Sequence, residues 1–184
     1  MAWDSNSTEA LVRTLHIFAG VVWIGLLYFF NLVNLPVFNV NIAGGDPAQK
    51  GGPNLMLRAL WWFRWGAMAT LAFGLILLDL VARKNGGYST FFATNEGQII
   101  GAGMALALVM WFNVWFIIWP AQKVVLNNNI AIAKGAAPDE KTRLEGVNKP
   151  LVARAKLASR TNFWLSIPML LLMVFAAHAP QILG

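Results

Sequence analysis

Apolar residues fill four long stretches of this chain, and polar residues gather before the first stretch and in the three gaps between them. The first stretch opens near Glu9 and closes at Leu35, where Pro36 follows. The second runs from about Leu57 to Ala82, the third from about Glu96 to Val125, and the fourth from about Ala158 to Ala179. A helix of about 20 apolar residues crosses the ~30 Å hydrocarbon core of a bilayer. The pattern therefore predicts helices over about 9–35, 57–82, 96–125 and 158–179. The fold class expected is all-α: an integral membrane four-helix bundle, one membrane domain spanning 1–184.

The gaps differ in character. Residues 37–56 carry the breakers Gly44-Gly45-Asp46-Pro47 and Gly51-Gly52-Pro53 and read as a loop. A short polar turn follows Arg83-Lys84-Asn85-Gly86-Gly87. Residues 126–157 form the largest polar segment and read as a loop, with a short charged surface helix starting at Pro138.

Composition strengthens the membrane reading. Hydrophobic residues make up 58% and charged residues 12%, against about 25% charged in a soluble domain. The net charge of +6 suits loops that set topology, so nucleic acid is not an expected partner; the lipid bilayer is. The absence of cysteine excludes disulfides, thiolate metal sites and covalent haem attachment through Cys-x-x-Cys-His. The N-terminus lacks a basic leader and cleavage site, so the first apolar run is expected to stay as a helix.

Four helices put both termini on one side. Arg13, Arg83 and Lys84 fall there, and the other eleven of the 14 Lys and Arg fall on the far side. The positive-inside rule then places the 126–157 segment in the cytoplasm and both termini on the outer, periplasmic side.

The chain has two histidines, His16 early in the first helix and His178 at the end of the fourth. Antiparallel helices bring both toward the same face. Two neutral imidazoles are a good axial pair for a six-coordinate b-type haem, which makes haem b the expected cofactor and His16 and His178 the expected iron ligands. Gly20, one turn below His16, leaves room for a flat macrocycle. Arg13, about one turn above, lies where a propionate would point. Two other readings stay open: histidines that hydrogen-bond a neighbouring helix or sit at the interface, and a proton-relay pair. Two histidines alone make a poor zinc site.

Other polar positions have local accounts. Asp79 has Arg83 at i+4 for an ion pair, and Asn113 is placed for an interhelical hydrogen bond. Trp111, Trp115 and Trp119 share one helical face and read as packing. Gly97 and Gly101 form a small-xxx-small pair suited to a close helix contact. Trp61-Trp62-Phe63-Arg64-Trp65 reads as an aromatic belt, and Arg160-Thr161-Asn162 as a cap with a snorkelling arginine.

Several segments together resemble a known family. They are His16 with Trp23-Ile24-Gly25, Trp62-Phe63-Arg64-Trp65, Thr70 through Gly74, Asn113 through Val124, and Arg160 through Met173 followed by His178. In order, they are similar to the membrane domain of bacterial cytochrome-c-linked urate oxidases. The resemblance implies a helical scaffold in a bacterial inner membrane, haem at the two histidines, and partners among cytochrome c and other membrane redox subunits. Full-length members are larger and carry a cytochrome c domain, for which this chain has no room. Where the family commonly has a glutamate after the second-helix Trp, Gly66 follows Trp65. No carboxylate for acid–base work is then expected there, and no catalytic residue is assigned. The expected function is a b-type cytochrome-like subunit carrying electrons near the periplasmic face. The alternatives are a structural subunit of a respiratory or photosynthetic complex and, third, a urate-oxidase-like enzyme. A transporter is disfavoured by the lack of a broken-helix pair or buried charge cluster.

Overall fold

The computed structural model describes residues 5–34 and 52–176, and among these it is helical almost throughout, with no strand. Helix α1 (Ser5–Tyr28) runs on into a π-helical segment, Phe29–Asn34. Helix α2 spans Gly52–Lys84. A short α3 (Tyr88–Ala93) precedes α4 (Asn95–Phe112), which passes through a second π-helical segment, Asn113–Ile118, into α5 (Trp119–Ala133). Helix α6 spans Pro138–Ala176. Counting α4–α5 as one rod, four helices among the described residues are long and apolar enough to cross a membrane. Their exteriors are correspondingly apolar: Phe18 is 70% exposed and Trp164 67%, which suits lipid rather than water.

Successive long helices pair as two hairpins, α1 with α2 and α4–α5 with α6. Trp23, Leu27, Phe63, Ala67, Met110, Val114 and Met169 fill the seam between the hairpins. Close approach of α1 to α2 depends on Gly66, where an added Cβ would sit 3.2 Å from Val22 Cγ1 and 3.3 Å from the Trp23 backbone nitrogen. Gly103 does the same for α4 and α6, against Met173.

The polar segment is the main departure from the sequence expectation. Residues 126–157 are not a loop: α5 continues to Ala133, α6 begins at Pro138, and only 134–137 connect them. The charged helix expected at Pro138 is the start of a 39-residue rod that carries Pro150 and Pro168 internally. Its apolar seam explains the continuation. Val125 and Leu126 of α5 and Leu144 and Ala155 of α6 are buried. Asn128 donates to Asn148 Oδ1 at 2.8 Å, and Asn148 donates to Asn129 Oδ1 at 3.0 Å. Side-chain amides paired across the hairpin no longer compete with the helical backbone. Helix α2 also starts early, at Gly52, inside the segment 37–56 expected as a loop; residues 37–51 of that loop and the expected helix ends at Leu35 and Ala179 lie outside the described residues.

Two further expectations change. Gly97 and Gly101 meet Phe91 and Phe92 of the α3 region rather than another long helix. Thr94 caps α4, accepting from the Gly97 amide at 3.0 Å. Asn162, expected in a cap, is fully buried because α6 starts six turns earlier.

Candidate functional site

His16 lies in the α1–α2 seam. Its Nδ1 is 2.9 Å from the Thr70 carbonyl oxygen. A carbonyl only accepts, so Nδ1 donates, and in the neutral ring Nε2 keeps its lone pair. No hydrogen bond to Nε2 is found among the described residues. Gly74 leaves the space the ring occupies: a Cβ there would come within 3.0 Å of His16 Cε1 and 3.1 Å of Nδ1. The Thr70 hydroxyl donates back to the Gly66 carbonyl at 2.8 Å. The ring is thus fixed by one hydrogen bond and one glycine, both supplied by α2.

Gly20 faces the same helix, with Thr70 Cγ2 3.9 Å from where its Cβ would stand. Arg13 is half-exposed and bonded to Glu9 at 2.8 Å. Glu9 also accepts from Lys84 at 3.0 Å, and Lys84 reaches Asn6 at 2.8 Å. This cluster ties the start of α1 to the end of α2. Arg13 therefore has a carboxylate partner already, and an anionic group near it would share the guanidinium with Glu9. His178 lies outside the described residues. The antiparallel register of α1 and α6 is set by Tyr28 with Ser166 and Asn31 with Ser159. Continued along both helices at equal rise, it brings Ala176 level with the turn of α1 that carries His16.

Near the same end, Asp79 accepts from Arg83 at 3.0 Å and from the Tyr88 hydroxyl at 2.7 Å. The Asp79 hydrogen bond raises the Tyr88 pKa above the ordinary phenol value, because ionising the phenol would lose it. Deeper in the bundle, Asn113 donates to Asn162 Oδ1 at 2.8 Å, and Asn162 donates to the Met110 carbonyl at 2.9 Å. Ser166 and Tyr28, and Asn31 and Ser159, complete a polar band across α1 and α6. Both π-helical segments meet α6 along it.

Sequence reasoning separated one group that the structure unites. The Arg64 guanidinium lies 4.1 Å from the ring centroid of Trp119, 5.0 Å from that of Trp115 and 5.3 Å from that of Trp65. The cation within a Trp run and the Trp stripe at i, i+4, i+8 were the available signals; the packing of α2 on α5 joins them.

Among the described residues, no three of His, Cys, Asp and Glu come together as a metal site. Two imidazoles would suffice to hold a metal centre without a third protein ligand, and His16, with Nδ1 donating and no described residue bonded to Nε2, could offer Nε2 as one of them. Comparison with protein-family models, curated proteins and solved structures finds no match to this chain.

Proposed function

We propose that this multi-pass membrane protein is a b-type cytochrome-like subunit. In this reading His16 and His178 hold haem b at the face that carries both termini. The observation that carries the reading is the state of His16: its Nδ1 proton is engaged by a backbone carbonyl, its ring is backed by Gly74, and no described residue bonds its Nε2. A histidine kept only for helix association would gain more by bonding through both nitrogens. The resemblance to the urate oxidase membrane domain points to the same two residues.

In this function the haem supplies one-electron redox chemistry. The chain orients the imidazole through the Thr70 carbonyl, while α1 and α2 exclude lipid and water from the Nδ1 side. Arg13 lies toward the water and offsets negative charge at that edge. If both histidines held the group, none of its chemistry would need a further protein ligand, and the chemistry it would supply is electron transfer, with cytochrome c or a membrane redox subunit as partner. At Gly66, contact with the α1 backbone leaves no room for the glutamate the resembled enzymes commonly carry, which weighs against urate oxidation.

The test is a reduced-minus-oxidised visible spectrum of protein produced with haem available. A low-spin b-type signal is expected, lost in His16→Ala and in His178→Ala. A blank spectrum from folded wild-type protein would leave a structural subunit as the better reading; the hairpin that α5 and α6 extend beyond the apolar spans favours it, as a surface for a partner subunit.

A further inference from the structure

Arg64 poses a problem of its own. The eighteen residues between it and Arg83 carry one charge, Asp79. They span about 27 Å of helix, close to the ~30 Å hydrocarbon thickness. Arg64 therefore stands at one boundary of the apolar layer. Among the described residues it forms no ion pair and no hydrogen bond, and its Nε is buried without a partner. Nor is it a loose cation reaching for water, since rings from two helices hold its guanidinium.

The aromatic wall continues outward. Trp65 contacts Trp115 at 5.7 Å and Trp61 at 6.1 Å, and Trp61 contacts Trp62 at 5.1 Å, centroid to centroid. Trp61 and Trp62, with Arg58, line an open groove of about 490 Å³. Arg58 lies about 9 Å beyond Arg64 along the helix, and the headgroup layer on each side is about 5–8 Å thick. The two arginines bracket that layer, with indole rings between them.

We propose that this cluster is a binding site for an anionic phospholipid. Its phosphate takes the Arg58 and Arg64 guanidinium donors, its glycerol backbone lies on Trp61 and Trp62, and its acyl chains run inward of Arg64. Charge complementarity selects the class: two cations with no carboxylate paired to them among the described residues favour a lipid of net negative charge.

Tryptophan quenching by brominated phospholipids tests this. The protein is reconstituted in phosphatidylcholine bilayers containing increasing fractions of brominated phosphatidylglycerol or brominated phosphatidylcholine. Half-quenching by the anionic lipid is expected at a mole fraction about fivefold lower than for the zwitterionic one. Arg58→Gln and Arg64→Gln should each reduce that ratio toward one. If Arg64→Gln does not fold, Arg58→Gln carries the same reading. Lys149→Gln/Lys156→Gln, which removes two charges from the α5–α6 hairpin, should keep the ratio. Equal quenching in the wild type, or loss of the ratio in the hairpin variant, would overturn the site. So would loss on adding inorganic phosphate at constant ionic strength, which would reassign it to a free anion. None of these outcomes depends on haem.

Discussion

Two glycines near His16 make opposite demands on a methyl group. At Gly74 the added carbon would press on an imidazole that cannot slide, because Nδ1 is bonded to Thr70. Helix propensity favours Gly74→Ala by up to ~1 kcal/mol, but overpacking typically costs about 1–3 kcal/mol. The expected result is a net loss of roughly 1 kcal/mol, read by thermal or denaturant unfolding in detergent. At Gly20 the nearest atom is at ordinary contact distance. In haem-free protein Gly20→Ala should therefore gain about 0.5–1 kcal/mol. Under the haem proposal the same methyl intrudes on the macrocycle, so haem content should fall in the variant whose apo-form melts higher. A higher melting temperature with unchanged haem content would show that Gly20 makes no room for the group.

At the scale of elements, polar side chains decide how the rods meet. Asn162 is fully buried and links α6 to α4 through Asn113 and the Met110 carbonyl. Asn162→Leu would leave the Asn113 amide without its acceptor and take one of two donors from the Met110 carbonyl. An interhelical hydrogen bond within a membrane is worth about 0.6–2 kcal/mol, so the expected loss is roughly 1–2 kcal/mol for two such bonds. Asn113→Leu, which leaves the Met110 bond intact, should cost less, and a double-mutant cycle should show coupling between the two. The role of Asn113 was legible because it is an amide in the middle of an apolar run. Asn162 was not legible, because the segment before it read as a loop and put a helix start there. Composition marks where a helix leaves lipid; it does not mark where the helix ends. Leu126, Leu144 and the Asn148 amide keep α5 and α6 helical in a stretch that is too polar to cross a membrane. The hydrogen bond at His16 was invisible for a different reason: its acceptor is the backbone of Thr70, which no side-chain pattern reports.

For the whole molecule, the two rods of 39 residues are about 58 Å long, nearly twice the ~30 Å apolar thickness. At the end where α1 begins and α2 closes, α4 begins at Asn95, close to the boundary marked by Arg83. The excess length therefore falls at the opposite end, as a hairpin turning at 134–137. From Lys123 through Arg160 the hairpin carries eight basic and three acidic residues. Basic residues next to spans resist translocation, so the hairpin is expected in the cytoplasm and α3 outside. The lack of native cysteine allows a direct test with single cysteines at two exposed positions, Ser89 in α3 and Ala137 in the turn. In intact cells a membrane-impermeant maleimide should label Ser89→Cys and leave Ala137→Cys unlabelled until the membrane is opened. The reverse pattern would put His16 on the cytoplasmic side, away from any periplasmic cytochrome c. An electron-carrying role would then require a cytoplasmic or membrane-bound partner, whatever the spectrum of the bound haem.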